Sequence, residues 1–171
     1  EVGVSSSEGS GSNFWFTAHF EPAAVSAHAP QRLAPTALRG RRVIAVDDNA
    51  TNLRILAGQL EQCGLQTEFA RSAHEALSLM KAACAESRPF ELALLDHDMP
   101  DCNGAELGTM INADGELKTA RLVLLTSSGM RGDGPRFADL GFAGYLLKPV
   151  GQRDLVECLQ LVLGSAAEMW H

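Results

Sequence analysis

A chain of 171 residues that is 46% hydrophobic and 20% charged can bury a core and has the balance of a globular protein with one main domain and room for extra segments. A net charge of -7, with no Lys/Arg cluster, gives no drive toward nucleic-acid phosphates or anionic lipid, which argues against direct nucleic-acid binding. Cys63, Cys84, Cys102 and Cys158 form no Cys-x-x-Cys pair and no zinc-spaced set, so they are read as reduced thiols, and no apolar run approaches the length of a membrane span. A cytoplasmic location without membrane contact is therefore expected, any inner-membrane anchor of a parent protein lying outside this stretch.

The first 20 residues predict a β-hairpin. Val2 and Val4 alternate, Glu8-Gly9-Ser10-Gly11 has turn chemistry, and Phe14, Phe16, Ala18 and Phe20 fall on one face. Residues 21–40 carry Pro22, Pro30 and Pro35 with no sustained apolar period, which is linker composition. From residue 41 the pattern changes. An apolar run at Arg42–Val46 ends in Asp47-Asp48, and Leu53, Leu56, Leu60 and Cys63 then recur at helical spacing until Gly64. Four further strand and helix pairs follow: Leu65–Ala70 with Ala76, Leu77, Met80 and Ala83; Leu92–Leu95 with 105–111; Leu122–Leu125 with Phe137 and Leu140; Gly144–Leu147 with Leu155, Leu159 and Val162. Five such units predict an α/β fold, a doubly wound five-stranded parallel sheet covered on both faces, over residues 41–165, with a tail at 166–171.

In such a sheet functional groups gather beyond the carboxyl ends of the strands. Asp47-Asp48, Asp96-His97-Asp98, Thr126-Ser127 and Lys148-Pro149 each follow a different strand, so one rim should collect them all. Asp47-Asp48 alone would also suit a helix start, where Asp48 or Asn49 could cap, and Asp96-His97-Asp98 alone would suit a polar turn. Together, the crowded carboxylates must take up protons or bind a cation. Magnesium matches an all-oxygen ligand set, with manganese as a substitute. A lysine and a threonine hydroxyl beside them would stabilise a transferring phosphoryl group, and an aspartate can be its nucleophile. His97 is expected to be an exposed loop residue, since strand alternation turns it away from Asp96.

Asp47-Asp48, Leu94-Leu95-Asp96-His97-Asp98-Met99-Pro100 with Gly104, Thr126-Ser127 and Tyr145-Leu146-Leu147-Lys148-Pro149 together resemble the signature of the response-regulator receiver family, in order and with family-like spacing. The resemblance implies a flavodoxin-like fold with strand order 2-1-3-4-5. It also implies that Asp96 is the phosphoacceptor, Asp48 the principal side-chain metal ligand, Asp47 a ligand through water, and the Asp98 backbone carbonyl a further ligand. By the same resemblance Lys148 meets the phosphoryl group and precedes a cis proline, Thr126 is the switch hydroxyl, and Tyr145 the aromatic switch. Many receivers carry Asn, Gln or Met where Asp98 stands. The stretch 128–135 holds three glycines, from which a mobile loop and a late fourth helix are expected.

The opening run, with Gly9-x-Gly11-Ser12 before Phe14-Trp15-Phe16, resembles the C-terminal end of a histidine-kinase ATPase domain. The two resemblances imply a receiver from a hybrid sensor histidine kinase. Its partners would be the kinase dimerisation and phosphoacceptor domain of the same protein and a downstream histidine phosphotransfer domain. No kinase core is visible, so this stretch should not bind ATP alone. Competing readings are a haloacid-dehalogenase-like phosphatase, whose Asp-x-Asp normally follows the first strand, and a receiver fold used only for docking.

Overall fold

The structure, a computed structural model, describes residues 1–9, 11–20, 36–127 and 133–164. The linker expected at 21–40 lies outside the described residues up to residue 35. So do most of the glycine-bearing loop, at 128–132, and the tail. Two compact units emerge, Glu1–Gln31 and Arg32–His171.

The first unit is an antiparallel hairpin of β1 (Val2–Ser7) and β2 (Gly11–Phe16). Gly9 and Gly11 both have positive φ, the conformation a tight return of the chain requires and that a Cβ would penalise. Val2 pairs with Phe16 and Val4 with Phe14, so four apolar side chains share one face, each 59 to 83% exposed.

The second unit holds a five-stranded parallel sheet of β3 (Arg42–Val46), β4 (Gln66–Ala70), β5 (Leu92–Asp96), β6 (Arg121–Thr126) and β7 (Gly144–Leu147). Their spatial order is β4-β3-β5-β6-β7, the expected 2-1-3-4-5 order. The helices are α1 (Ala50–Gln62), α2 (Ala73–Ala85), α3 (Gly104–Ala113), α4 (Asp133–Asp139) and α5 (Gln152–Gly164). Among the described residues no helix is long and apolar enough to cross a membrane.

Strand alternation sorts the core into two layers. Ile44, Val46, Ala93, Leu95, Leu122 and Leu124 pack with Met80 of α2, Leu107 and Ile111 of α3, and Phe137 of α4. Val43, Ala45, Leu92, Leu94, Val123 and Leu125 pack with Leu53, Leu56 and Leu60 of α1 and with Leu155 and Leu159 of α5. Burying each such side chain contributes about 1.5–3 kcal/mol, so both helical layers are needed to hold the sheet. Leu38, inside the stretch read as linker, is fully buried in the second layer, and the Gly40 N–H donates to the Gly64 carbonyl. The packing of this unit therefore begins before residue 41.

Helix starts follow local chemistry. Asn49 accepts from the Thr51 N–H at α1 and Ser72 from the Glu75 N–H at α2. Asn103 and Glu106 form a reciprocal capping box at α3. Each cap turns the chain sharply just past a strand, which leaves the residues between strand and helix on the carboxyl rim.

Candidate active site

At that rim, β3 and β5 are neighbours whose outgoing helices lie on opposite faces, α1 on one and α3 on the other. This divergence opens the crevice where such sheets bind ligands. Asp47, just past β3, and Asp96, ending β5, both lie here, at 0% and 2% exposure. Lys148, just past β7, reaches between them: its Nζ lies 2.9 Å from Asp47 Oδ2 and 2.7 Å from Asp96 Oδ1. The Lys148–Pro149 peptide is cis.

Asp47 is held on all sides. Its Oδ1 accepts from the Asn49 N–H at 2.9 Å, and Asn52 Nδ2 lies 3.1 and 3.0 Å from its two oxygens. Asp48 is less buried, and its carboxylate joins those of Asp47 and Asp96 in a group with one oxygen from each within 4.8 Å of the others. Three acids at this separation, met by one ammonium, leave an excess of negative charge in a partly desolvated place. Burial raises the Asp96 pKa above the ordinary carboxylate value; the Lys148 hydrogen bond, the Asp98 N–H at 3.1 Å and the lysine's charge oppose it, and the charge of Asp47 adds to it. Burial by itself would lower the Lys148 pKa, but its bonds to Asp96 and Asp47 and their charges overcome that and raise it.

The Asp98 carboxylate stands outside the three-acid group. The His97 ring, 3.0 Å away, and then the Ser127 hydroxyl hydrogen-bond to it and hold its pKa below the ordinary value. His97 is a loop residue outside the acid group, as expected, but half-buried rather than exposed. Its side chain is 33% exposed and its ring meets Phe137 edge-on at 6.4 Å. The His97 N–H still donates to the Leu125 carbonyl, so the alternation of β5 carries on and sets the ring on the Ala93 and Leu95 face, away from Asp96, where Phe137 of α4 covers it.

Thr126 is buried at the end of β6, and its carbonyl accepts from the Lys148 N–H at 2.8 Å. Tyr145 in β7 is partly exposed and lies tilted against Phe137, with ring centroids 5.8 Å apart. Gly104 completes the loop: a Cβ there would fall 2.8 Å from the Asp96 carbonyl carbon and 2.9 Å from Leu124 Cδ1, so only glycine lets α3 start this close to β5. The structure thus brings Asp47, Asp48, Asp96 and Lys148 together directly, with Thr126 and Asp98 beside them, while Tyr145 in β7 packs on Phe137 of α4, whose ring also meets His97.

Asn52 and Arg71 escape the sequence reading. Asn52 is a polar residue in the first turn of an otherwise amphipathic helix, a weak signal on its own. Arg71, just past β4, donates from Nη2 to the Asp48 carbonyl at 3.1 Å.

A doubly wound sheet whose carboxyl rim gathers three acids around one lysine defines a class of small acidic-pocket α/β domains. Within that class, residues 43–160 match the response regulator receiver domain family, and the chain belongs to it. It is similar to the polar-differentiation response regulator DivK of Brucella anthropi, 30% identical over 126 residues that make up 74% of this chain and 98% of DivK. It is also similar to the chemotaxis protein CheY4 of Vibrio cholerae, at 25% identity and a TM-score of 0.63 over 72% of this chain and 98% of the other. The receiver domain of the Pseudomonas aeruginosa sensor histidine kinase PA1611 shares the fold at 23% identity and a TM-score of 0.61, over 74% and 99% of the two chains; its crystal structure has a magnesium ion coordinated in the active-site cleft.

Proposed function

We propose that this receiver accepts a phosphoryl group on Asp96, in a magnesium-dependent transfer from a phosphohistidine, and belongs to a hybrid sensor histidine kinase. The observation that carries the reading is the Lys148 ammonium bridging Asp47 and Asp96, with an Asp48 oxygen in the same group. An all-carboxylate donor set fits a hard divalent cation and suits magnesium. Asp48 and Asp96 would hold it directly, with Asp47 through water and the Asp98 backbone carbonyl as a further ligand. Once bound, it would offset phosphoryl-oxygen charge.

The protein's own part is positioning and charge. A carboxylate oxygen of Asp96 bonds to phosphorus as the phosphorus–nitrogen bond of phosphohistidine breaks, its electron pair returning to the imidazole. Lys148 lies within bonding distance of Asp96, so its ammonium would stand beside the new negative oxygens. Thr126 serves as the switch hydroxyl, and Tyr145, resting on Phe137, is the group whose packing changes on the face formed by α4, β7 and α5. The hairpin's unmatched apolar face suits the end of a larger sheet, such as a kinase ATPase domain, better than a free-standing element. A histidine phosphotransfer domain is the natural downstream partner.

Incubation with acetyl phosphate and magnesium, followed by borohydride trapping and mass spectrometry, should label Asp96 alone. Asp96→Asn should lose the label. Labelling of that variant at wild-type level would refute the assignment, and an absence of both magnesium binding and labelling in the wild type would favour a docking module.

A further inference from the structure

Among the described residues, Arg71 is a second basic side chain, besides Lys148, bonded to one of the three clustered acids. Its main chain is fixed by the start of α2, where Glu75 Oε2 accepts its N–H at 2.7 Å while Ser72 accepts the Glu75 N–H. The exposed side chain reaches across from the end of β4 and hooks over the Asp48 carbonyl. Its remaining guanidinium N–H groups make no hydrogen bond among the described residues. Arg71 spends a single donor on the carbonyl of Asp48, one of the clustered acids, and leaves the rest of its fork uncommitted among the described residues.

The charge balance says what such a group is for. Asp47, Asp48, Asp96 and Asp98 bring four carboxylates to the rim, and Lys148 is already committed to two of them. An incoming phosphoryl donor is an anion and must approach this field before any contact inside can favour it. We propose that Arg71 determines donor specificity: its guanidinium at the rim favours donors of net charge minus two over donors of net charge minus one. The proposal rests on Asp96 being the phosphoacceptor.

The test compares acetyl phosphate, of net charge minus two near neutral pH, with phosphoramidate, of net charge minus one because its nitrogen is protonated, on wild type, Arg71→Gln and Arg71→Lys, with magnesium affinity measured by calorimetry on each. Arg71→Gln should lower the second-order labelling rate with acetyl phosphate by about three- to tenfold, lower that with phosphoramidate less, and reduce the salt dependence of the former. Arg71→Lys should recover most of the loss. The sign of the magnesium effect separates recognition from bracing. Removing a rim cation leaves magnesium affinity unchanged or raises it, whereas removing a brace on the 47–49 loop lowers it. Weaker magnesium binding in Arg71→Gln, or equal slowing with both donors, overturns the proposal. An unlabelled wild type overturns the phosphoacceptor reading itself, and this proposal with it.

Discussion

The two edges of the same sheet treat charge in opposite ways. Near the amino ends of the strands, two cations each meet an anion: Arg41 pairs with Glu91, and Arg42 pairs with Glu68 while its guanidinium lies 4.5 Å from the Phe90 ring centroid. At the carboxyl ends, three acids converge on one lysine. Matched pairs at a half-exposed edge contribute little and require nothing from solution. The unmatched, buried edge carries a charge imbalance that a ligand can relieve, which makes it the place to look for chemistry.

The largest expected effect tests that imbalance. Lys148→Ala should lower Asp96 labelling by about a hundredfold or more, as loss of a preorganised charge-stabilising group does, while leaving magnesium affinity intact or higher. Asp48→Ala should instead weaken magnesium binding. Equal loss of affinity in both variants would show that the roles are divided wrongly.

Gly104→Val tests whether the acidic edge depends on close backbone approach. It should cost about 3 kcal/mol in urea unfolding, because the Asp96 carbonyl and Leu124 leave no room for a branched Cβ. A loss below about 1 kcal/mol would mean the loop yields easily. Leu38→Ala should cost about 2–4 kcal/mol, and a chain starting at residue 41 should be less stable than one starting at residue 36 by a similar amount. Equal stability of the two truncated chains would place Leu38 outside the cooperative unit.

The smallest effect belongs to the matched edge. Glu91→Gln should change stability by less than about 0.5 kcal/mol and leave labelling unchanged, since both partners are well exposed. A loss above about 1 kcal/mol would remove the contrast drawn between the edges.

Much of this was legible in the chain because it is local. The continuous apolar runs at 43–46, 92–95 and 122–125, buried on both faces of the sheet, and the period near 3.6 in the helices between, are set by which faces must leave water, so element types and the parallel sheet follow from order alone. The acids, the threonine and the lysine were legible for the same reason, since a doubly wound sheet sends every strand end to one rim. Which particular bonds form at that rim was not legible. Asp47 and Lys148 meet across 101 positions, and nothing in either neighbourhood says that Asn52 will hold the same carboxylate or that Arg71 will reach the Asp48 carbonyl. Leu38 reads as linker because one leucine among prolines has no period, and His97 reads as exposed because alternation gives its face but not that Phe137 of α4 covers it. Periodicity reports only what a residue's own element demands. Which groups share a buried space is decided when the layers pack, because the cost of an unpaired charge there is set by neighbours that the sequence places far away.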